Sequence, residues 1–509
     1  MRLSVITTII IIIITLASSS SSSSSSSHSY YSKKNKKIRK NHHEDNGALL
    51  RSSSIFENEA KTTFGHQVWR CRGGSELLRE VRDGSHSVWR DRERGEIDVR
   101  VSPEQQSHFS GLLRSGHCET KISDLDSMIS GSAVTASEDM RFKQKMDFID
   151  QYHSVEDIYK WLKEMQETHP EKIQIVDSGY ESVEGRKILA VRVCSSPPCD
   201  NNKKRKKIYI QSLLHAREWI GGAALLTVIS EMMKIPKSSS LNDFELIAVP
   251  VSNPDGYEFS RQNNENRLWR KNRRKNAGGS YGVDLNRNFA VPHSWGHGEG
   301  DGNSMEGSSN VEADEIYRGP KSFSEPETKA VKGFIESLGP FVLGVDVHSY
   351  GQTVLRPYGY QTPRDGMPED ETEQRRLGDA AARAMSQHYP IRYKSQHAGE
   401  GGFIGAGGCD DWMHDVGKMY SFTIELRDQG AKGFLLPESE IRPTGWELLK
   451  GLEAMASVLK SFDPYSSDFE DDEGYVPPSP PVLKRSDGGV ASAMGVSDTV
   501  LSDTGGSGK

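Results

Sequence analysis

The sequence predicts an α/β fold: a mixed, largely parallel, twisted sheet with helices on both faces, preceded by a small α+β unit. Three observations carry this expectation. From Tyr152 to about Phe462, apolar strand-like runs alternate with helical patterns, as in chains that cover a parallel sheet with helices. The runs are apolar on both faces, which suits strands buried from both sides. Upstream, between Val68 and about Leu113, short alternating segments and a proline-led helix form a pattern of their own.

At 509 residues, two folded units with unstructured flanks are expected. Met1-Arg2, the apolar block from Leu3 to Leu16 and the small residues beyond it have the layout of a secretory signal peptide, read as 1–17. An uncleaved anchor is the alternative, but the block is shorter than the roughly 20 apolar residues a spanning helix needs. Residues 18–62 are Ser-rich and then basic (Lys33 to Lys40) without apolar periodicity, and read as a disordered leader. Val68-Trp69-Arg70, Val88-Trp89-Arg90 and Ile97 to Val101 read as strands, and Pro103 opens a helix.

In the main region, strands are expected at Lys187 to Val193, Lys207 to Leu214, Phe244 to Val251, Phe341 to Val347 and Met419 to Glu425. Helices are expected at Val155 to Thr168, Trp219 to Lys234, Glu325 to Ser337, Glu371 to His388 and Glu438 to Leu459. Ligands of such sheets sit beyond the carboxyl ends of the strands. The acidic, Pro- and Ser-rich tail from Asp463 reads as unstructured.

A net charge of -7 argues against a field that gathers nucleic acid, and no later segment is apolar enough to span a membrane. Of the five cysteines, Cys194 with Cys199 and Cys71 with Cys118 are the pairings considered, leaving Cys409 over; the connectivity stays open. No Asn-x-Ser/Thr sequon occurs.

The strand Lys207 to Leu214 delivers His215-Ala216-Arg217-Glu218-Trp219, and the strand ending at Val347 delivers His348. His215 and Glu218, three apart, can grip one ion. Two imidazoles, a carboxylate and an open fourth position describe a catalytic zinc site. Either fragment alone reads as chance or as a core histidine, and company is what changes the odds. Asp284-Leu285-Asn286-Arg287-Asn288 lies in an irregular stretch, and Glu425 ends a strand that should be buried. A carboxylate there is costly unless paired or employed.

These blocks resemble the zinc carboxypeptidases of the A/B family. The matches are His215-Ala-Arg-Glu-Trp, Asn253-Pro-Asp-Gly-Tyr257, Arg267-Leu-Trp-Arg-Lys271, Val283-Asp-Leu-Asn-Arg-Asn288, His348-Ser-Tyr350, Thr423-Ile-Glu-Leu-Arg427 and Gly433-Phe-Leu-Leu-Pro437, in the family's order. The resemblance covers roughly residues 145 to 460 and implies a catalytic domain at 145–462. The unit before it, with its connector at 63–144, is similar in placement to the family's inhibitory pro-domain.

The resemblance implies one Zn2+ on His215, Glu218 and His348, with Asp284 orienting the His215 ring. Glu425 would be the general base toward the attacking water, and Arg270 would share the charge developing on the carbonyl oxygen. Asn286 and Arg287 would hold the substrate's terminal carboxylate, and Arg217 and Arg267 would seat upstream residues. The family's capping tyrosine falls on Phe403, which keeps the ring and loses the hydroxyl. Asp410, at the variable base of the specificity pocket with Gly359 and Ala398 on its walls, points to C-terminal Lys or Arg. An A-type preference for aliphatic or aromatic residues is the alternative, with Asp410 a solvated loop acid.

The implied partners are peptide or protein C-termini, the chain's own pro-domain as inhibitor, and an activating protease that cuts near Arg141 to Lys145. Neither nucleic acid nor, after signal removal, a membrane is expected as a partner. The implied location is secreted and extracellular, with vacuole or cell wall as variants. Rival readings are an inactive peptide-binding or cell-wall relative, which the presence of Glu425 opposes, and a cytosolic deglutamylase, which the signal peptide opposes.

Overall fold

The computed structural model describes residues 65–133, 147–294, 307–400 and 404–462, apart from single residues and short stretches at 86, 93–94, 197–198, 200–204 and 293, and all of them lie within one compact unit, Thr63–Lys509. The expected signal peptide, leader, connector at Arg141 to Lys145, Phe403 and tail lie outside the described residues.

The first part holds an antiparallel sheet of β1 (Gln67–Arg72), β2 (Ser87–Arg92), β3 (Glu96–Val101) and β4 (Cys118–Ile122), in the order β2-β3-β1-β4. Helices α1 (Ser75–Gly84), α2 (Pro103–Arg114) and α3 (Leu125–Ala133) accompany it. Pro103 opens α2 as expected, with Ser102 capping it: the hydroxyl accepts from Gln105 N, and the Gln105 side chain accepts from Ser102 N. The unit therefore runs twenty residues beyond the expected end at Leu113, closing with β4 and α3. Cys71 and Cys118, register partners on β1 and β4, form a disulfide; Cys194 and Cys199 form the other, and Cys409 is a buried free thiol.

The second part is an eight-stranded mixed sheet ordered β11-β10-β12-β9-β7-β8-β6-β5. In chain order its strands are β5 (Ile173–Glu181), β6 (Lys187–Val193), β7 (Lys206–Ser212), β8 (Phe244–Val249), β9 (Leu343–His348), β10 (Thr353–Arg356), β11 (Lys394–His397) and β12 (Tyr420–Glu425). The central four, β12-β9-β7-β8, are mutually parallel. Their side chains are almost all buried, as strands covered on both faces require. The helices are α4 (Val155–Thr168), α5 (Trp219–Met232), α6 (Pro254–Arg261), α7 (Pro326–Leu338), α8 (Glu371–Met385), α9 (Cys409–Asp415) and α10 (Ile441–Phe462). Helix α5 is apolar nearly all round and buried with α8 and α10 in one core, while α7 and α9 belong to the core that also holds Tyr209 and Ile247. Among the described residues no helix is long and apolar enough to cross a membrane.

This topology brings three strand ends together. In the parallel pair β9/β12, His348 is the register partner of Glu425, and in β7/β9 Val347 is the partner of Ser212. The chain leaving β7 reaches His215 three residues later. The carboxyl ends of adjacent central strands thus converge where parallel sheets place their ligands.

Candidate active site

His215 and Glu218 sit in the short segment between β7 and α5, with Glu218 directly before the first residue of α5. The segment is tied down from outside. Ala216 N donates to the Arg270 carbonyl at 3.0 Å, and Asn253 Nδ2 donates to the carbonyls of Leu214 at 3.1 Å and Lys271 at 3.2 Å. The Asn253-Pro-Asp-Gly block is therefore a strut joining the His215 segment to the Arg270 segment.

The three expected metal ligands meet. His215 Nδ1 is 2.9 Å from Glu218 Oε1, and His348 Nδ1 is 2.8 Å from Glu218 Oε2. All three residues are buried, and their ligand atoms lie within 4.8 Å of one another. Burial alone would raise the Glu218 carboxyl, but the two imidazoles outweigh it and hold the group far below the usual carboxylate range.

Each ring turns its other nitrogen to a carboxylate. His215 Nε2 is 3.0 Å from Asp284 Oδ1. His348 Nε2 is 2.8 Å from Asp346 Oδ2, a partner not expected from the sequence. Two imidazoles with Nδ1 turned inward, a shared carboxylate and second-nitrogen partners make up the donor set that suits zinc.

Arg270 donates to Asp284 Oδ2 through Nε at 3.0 Å and Nη2 at 2.8 Å. Burial opposes the Asp284 charge, yet Arg270 and His215 hold its carboxyl well below the ordinary range. Asp284 also starts a single helical turn, Leu285–Arg287, by accepting from Asn286 N at 3.0 Å. That turn aims Asn286 and Arg287 at the site. Asn286 Oδ1 accepts from Cys409 N at 2.8 Å, which places Nδ2 near His348, at 3.2 Å from Nε2. Arg287 donates to the carbonyls of Gly307 and Asn286, each at 2.6 Å.

Glu425 is half-buried, and its Oε2 is fully buried with no hydrogen-bond partner among the described residues. Burial first, and then the charge of Glu218, push its carboxyl up to about 7, while His348, Arg90 and Arg270 pull the other way. An orphaned carboxylate at that poise is what a proton acceptor near neutral pH needs.

Asp410 is buried, its charge acts on Arg287, and its Oδ1 would lie 2.9 Å from a Cβ added at Gly408. Burial, and then Asp346, raise its carboxyl. Gly359 N donates to Asp411 at 2.9 Å, and a Cβ at Gly359 would meet Asp411 at 3.4 Å and Ala398 at 3.7 Å. Gly359, Ala398, Gly405 and Asp411 therefore lie close together. Arg217 and Arg267 are buried: Arg267 donates to the carbonyls of Arg217 at 2.9 Å and Phe434 at 2.6 Å, and Arg217 donates to Glu315 at 3.1 Å. The expected capping residue, Phe403, lies outside the described residues.

The amino-terminal unit rests against this site. Trp89 packs on Tyr350 and Phe434, with ring centroids 6.4 and 5.1 Å away. The Arg90 guanidinium lies 5.9 Å from the Tyr350 ring and against Gly351, where an added Cβ would meet it. Asp98, paired with Arg70 at 2.6 Å, accepts from Tyr350 OH at 3.1 Å, and Arg70 also donates to the Gln429 carbonyl at 2.6 Å.

A family model described as zinc carboxypeptidase matches residues 158–451. Carboxypeptidase B2 of Bos taurus is 34% identical over 338 residues, covering 64% of this chain and 75% of the relative. Carboxypeptidase A4 of Mus musculus is 31% identical over 415 residues, covering 78% of this chain and 94% of the relative. The crystal structure of thrombin activatable fibrinolysis inhibitor superposes with a TM-score of 0.67 at 30% identity, covering 78% of this chain and 100% of that one.

Proposed function

The chain belongs to the zinc carboxypeptidase family and is a zinc metallocarboxypeptidase; from that premise we propose that it is made as a secreted zymogen and trims Lys or Arg from the C-terminal ends of peptides. His215, Glu218 and His348 hold the zinc, which when bound supplies a Lewis acid that polarises a carbonyl and makes water a better nucleophile. Support comes foremost from one arrangement: both oxygens of Glu218 face an Nδ1 atom, and Glu425 stands beside His348 on the neighbouring parallel strand.

Glu425 accepts the proton of the attacking water at its unpartnered oxygen and returns it to the leaving amine. Arg270, fixed by Asp284, faces the carbonyl oxygen as it gains negative charge, where a preorganised donor acts most strongly. Arg287 and the Asn286 amide take the terminal carboxylate, so only the end of a chain fits. Arg217 and Arg267 shape the upstream side, Arg267 acting through the two carbonyls it holds.

Asp410 favours a cationic side chain in the space bounded by Gly359 and Ala398, since leaving a buried acid opposite an apolar group is costly. Matured protein is expected to hydrolyse a peptide ending in Arg faster than the same peptide ending in Phe. Steady-state rates on the pair decide it, and faster cleavage of Phe would overturn the basic preference.

The amino-terminal unit is the inhibitor. Trp89, Arg90 and Asp98 engage Tyr350 and Gly351, the residues directly after His348-Ser349, and the Arg90 charge acts on Glu425. One structural relative is named as thrombin activatable, which accords with maturation by a protease. Arg90→Ala in the uncut chain is expected to raise activity about tenfold, equivalent to ~1.4 kcal/mol of lost blocking. Uncut wild-type chain already as active as trypsin-treated chain would contradict inhibition. The leader of Met1-Arg2 and Leu3 to Leu16 supports secretion.

A further inference from the structure

Both metal-facing imidazoles lean on a carboxylate, but the two carboxylates are differently employed. Asp284 divides its charge among Arg270, His215 and the backbone N–H of Asn286. Asp346 is fully buried, and its hydrogen bonds are to the His348 ring at 2.8 Å through Oδ2 and from Gln211 Nε2 at 3.2 Å through Oδ1. Asp346 and His348 are two apart on β9 and so project on the same side of the strand. Register partners on both flanks, Gln211 on β7 and Thr423 on β12, hold that strand in place.

Two groups compete for His348 Nε2: the Asp346 carboxylate at 2.8 Å, an acceptor, and the Asn286 amide nitrogen at 3.2 Å, a donor. The Asn286 orientation is settled independently, because its oxygen accepts from the backbone Cys409 N at 2.8 Å. One ring nitrogen cannot both donate and accept. The shorter, charge-assisted contact decides in favour of Nε2–H donating to Asp346. Nδ1 is then the bare nitrogen, turned toward Glu218, and the Asn286 hydrogens are not consumed by the ring.

We propose that Asp346 is a positioning residue of the zinc site: it fixes the tautomer and orientation of His348, raises the ring's strength as a ligand, and leaves the Asn286 amide available to the substrate carboxylate. This rests on the zinc reading of His215, Glu218 and His348. Both rings then follow a carboxylate–imidazole–metal pattern, whose loss typically costs 10- to 100-fold in metal affinity.

The test uses the full-length chain, stripped of metal, with Zn2+ affinity measured by chelator competition and Co2+ absorption recorded as a signature of ligand geometry. Asp346→Asn is expected to weaken Zn2+ about 10- to 100-fold and to shift the Co2+ bands, with the thermal midpoint of the metal-free chain unchanged. Asp346→Ser must act in the same direction, and it stands in if the asparagine variant does not fold. Wild-type affinity and an unshifted Co2+ spectrum in a folded variant would overturn the assignment of Asp346. A wild-type chain that takes up no Zn2+ would instead overturn the zinc site itself.

Discussion

Glu425→Gln is expected to lower kcat of the matured enzyme by about 10²- to 10⁴-fold with its zinc content unchanged. Glutamine keeps the shape and loses the ability to accept a proton, and Glu425 is not among the three residues that face the ion. The loss therefore separates base catalysis from metal binding. The same group sets the acid side of the pH profile. A base works ionised, so kcat/KM falls tenfold per unit as pH drops below the Glu425 pKa. Burial and then Glu218 push that carboxyl up to about 7, and a cation held by His215, Glu218 and His348 would favour the carboxylate, so the acid limb lies at or below that value. A Gln variant keeping more than a tenth of the wild-type kcat would contradict the role.

Asp410→Ile is expected to reduce kcat/KM for peptides ending in Arg by at least roughly 10²-fold, or ~3 kcal/mol, and to raise it for peptides ending in Phe. Asp410 is buried, and its carboxyl is raised by burial and then by Asp346. An arriving guanidinium would pair with that carboxylate; an aliphatic side chain offers neither charge nor hydrogen bond. Comparing the Arg-to-Phe ratio in variant and wild type measures the effect. An unchanged ratio would make Asp410 a bystander.

The parts of the fold that could be read in advance are those whose burial leaves a clear pattern. Helix α4 runs Val155–Thr168 as expected, because Ser154 caps it and Val155, Ile158 and Leu162 repeat at helical spacing toward the core. Strand β6 matches Lys187 to Val193, and the central strands differ from expectation only at their ends. The edge elements were not legible. Lys394-Ser-Gln-His397 has no apolar alternation and becomes β11 only because β10 lies beside it, in parallel register. Helix α10 starts at Ile441 rather than Glu438, since Glu438–Glu440 forms a tighter turn after Pro437.

In the site, the meeting of His215, Glu218 and His348 was legible because the carboxyl ends of the adjacent parallel strands β7 and β9 must converge. Asp346 lay in plain view two residues before His348, but a strand acid gains meaning only once its neighbours are known to be Gln211 and the imidazole. Asn253 likewise showed as part of a motif without a role, and its work is to brace two carbonyls from separate segments. The buried stations of Arg217 and Arg267 depend on Phe434 and Glu315, far away in sequence.

Metal content per polypeptide, measured on matured wild-type protein and on His348→Ala, is the decisive measurement for the zinc site. One zinc per wild-type chain, and less than a tenth of that in the variant, is the predicted result. Wild-type protein that cleaves C-terminal residues without stoichiometric zinc, or a folded His348→Ala variant that keeps its full complement, would contradict it.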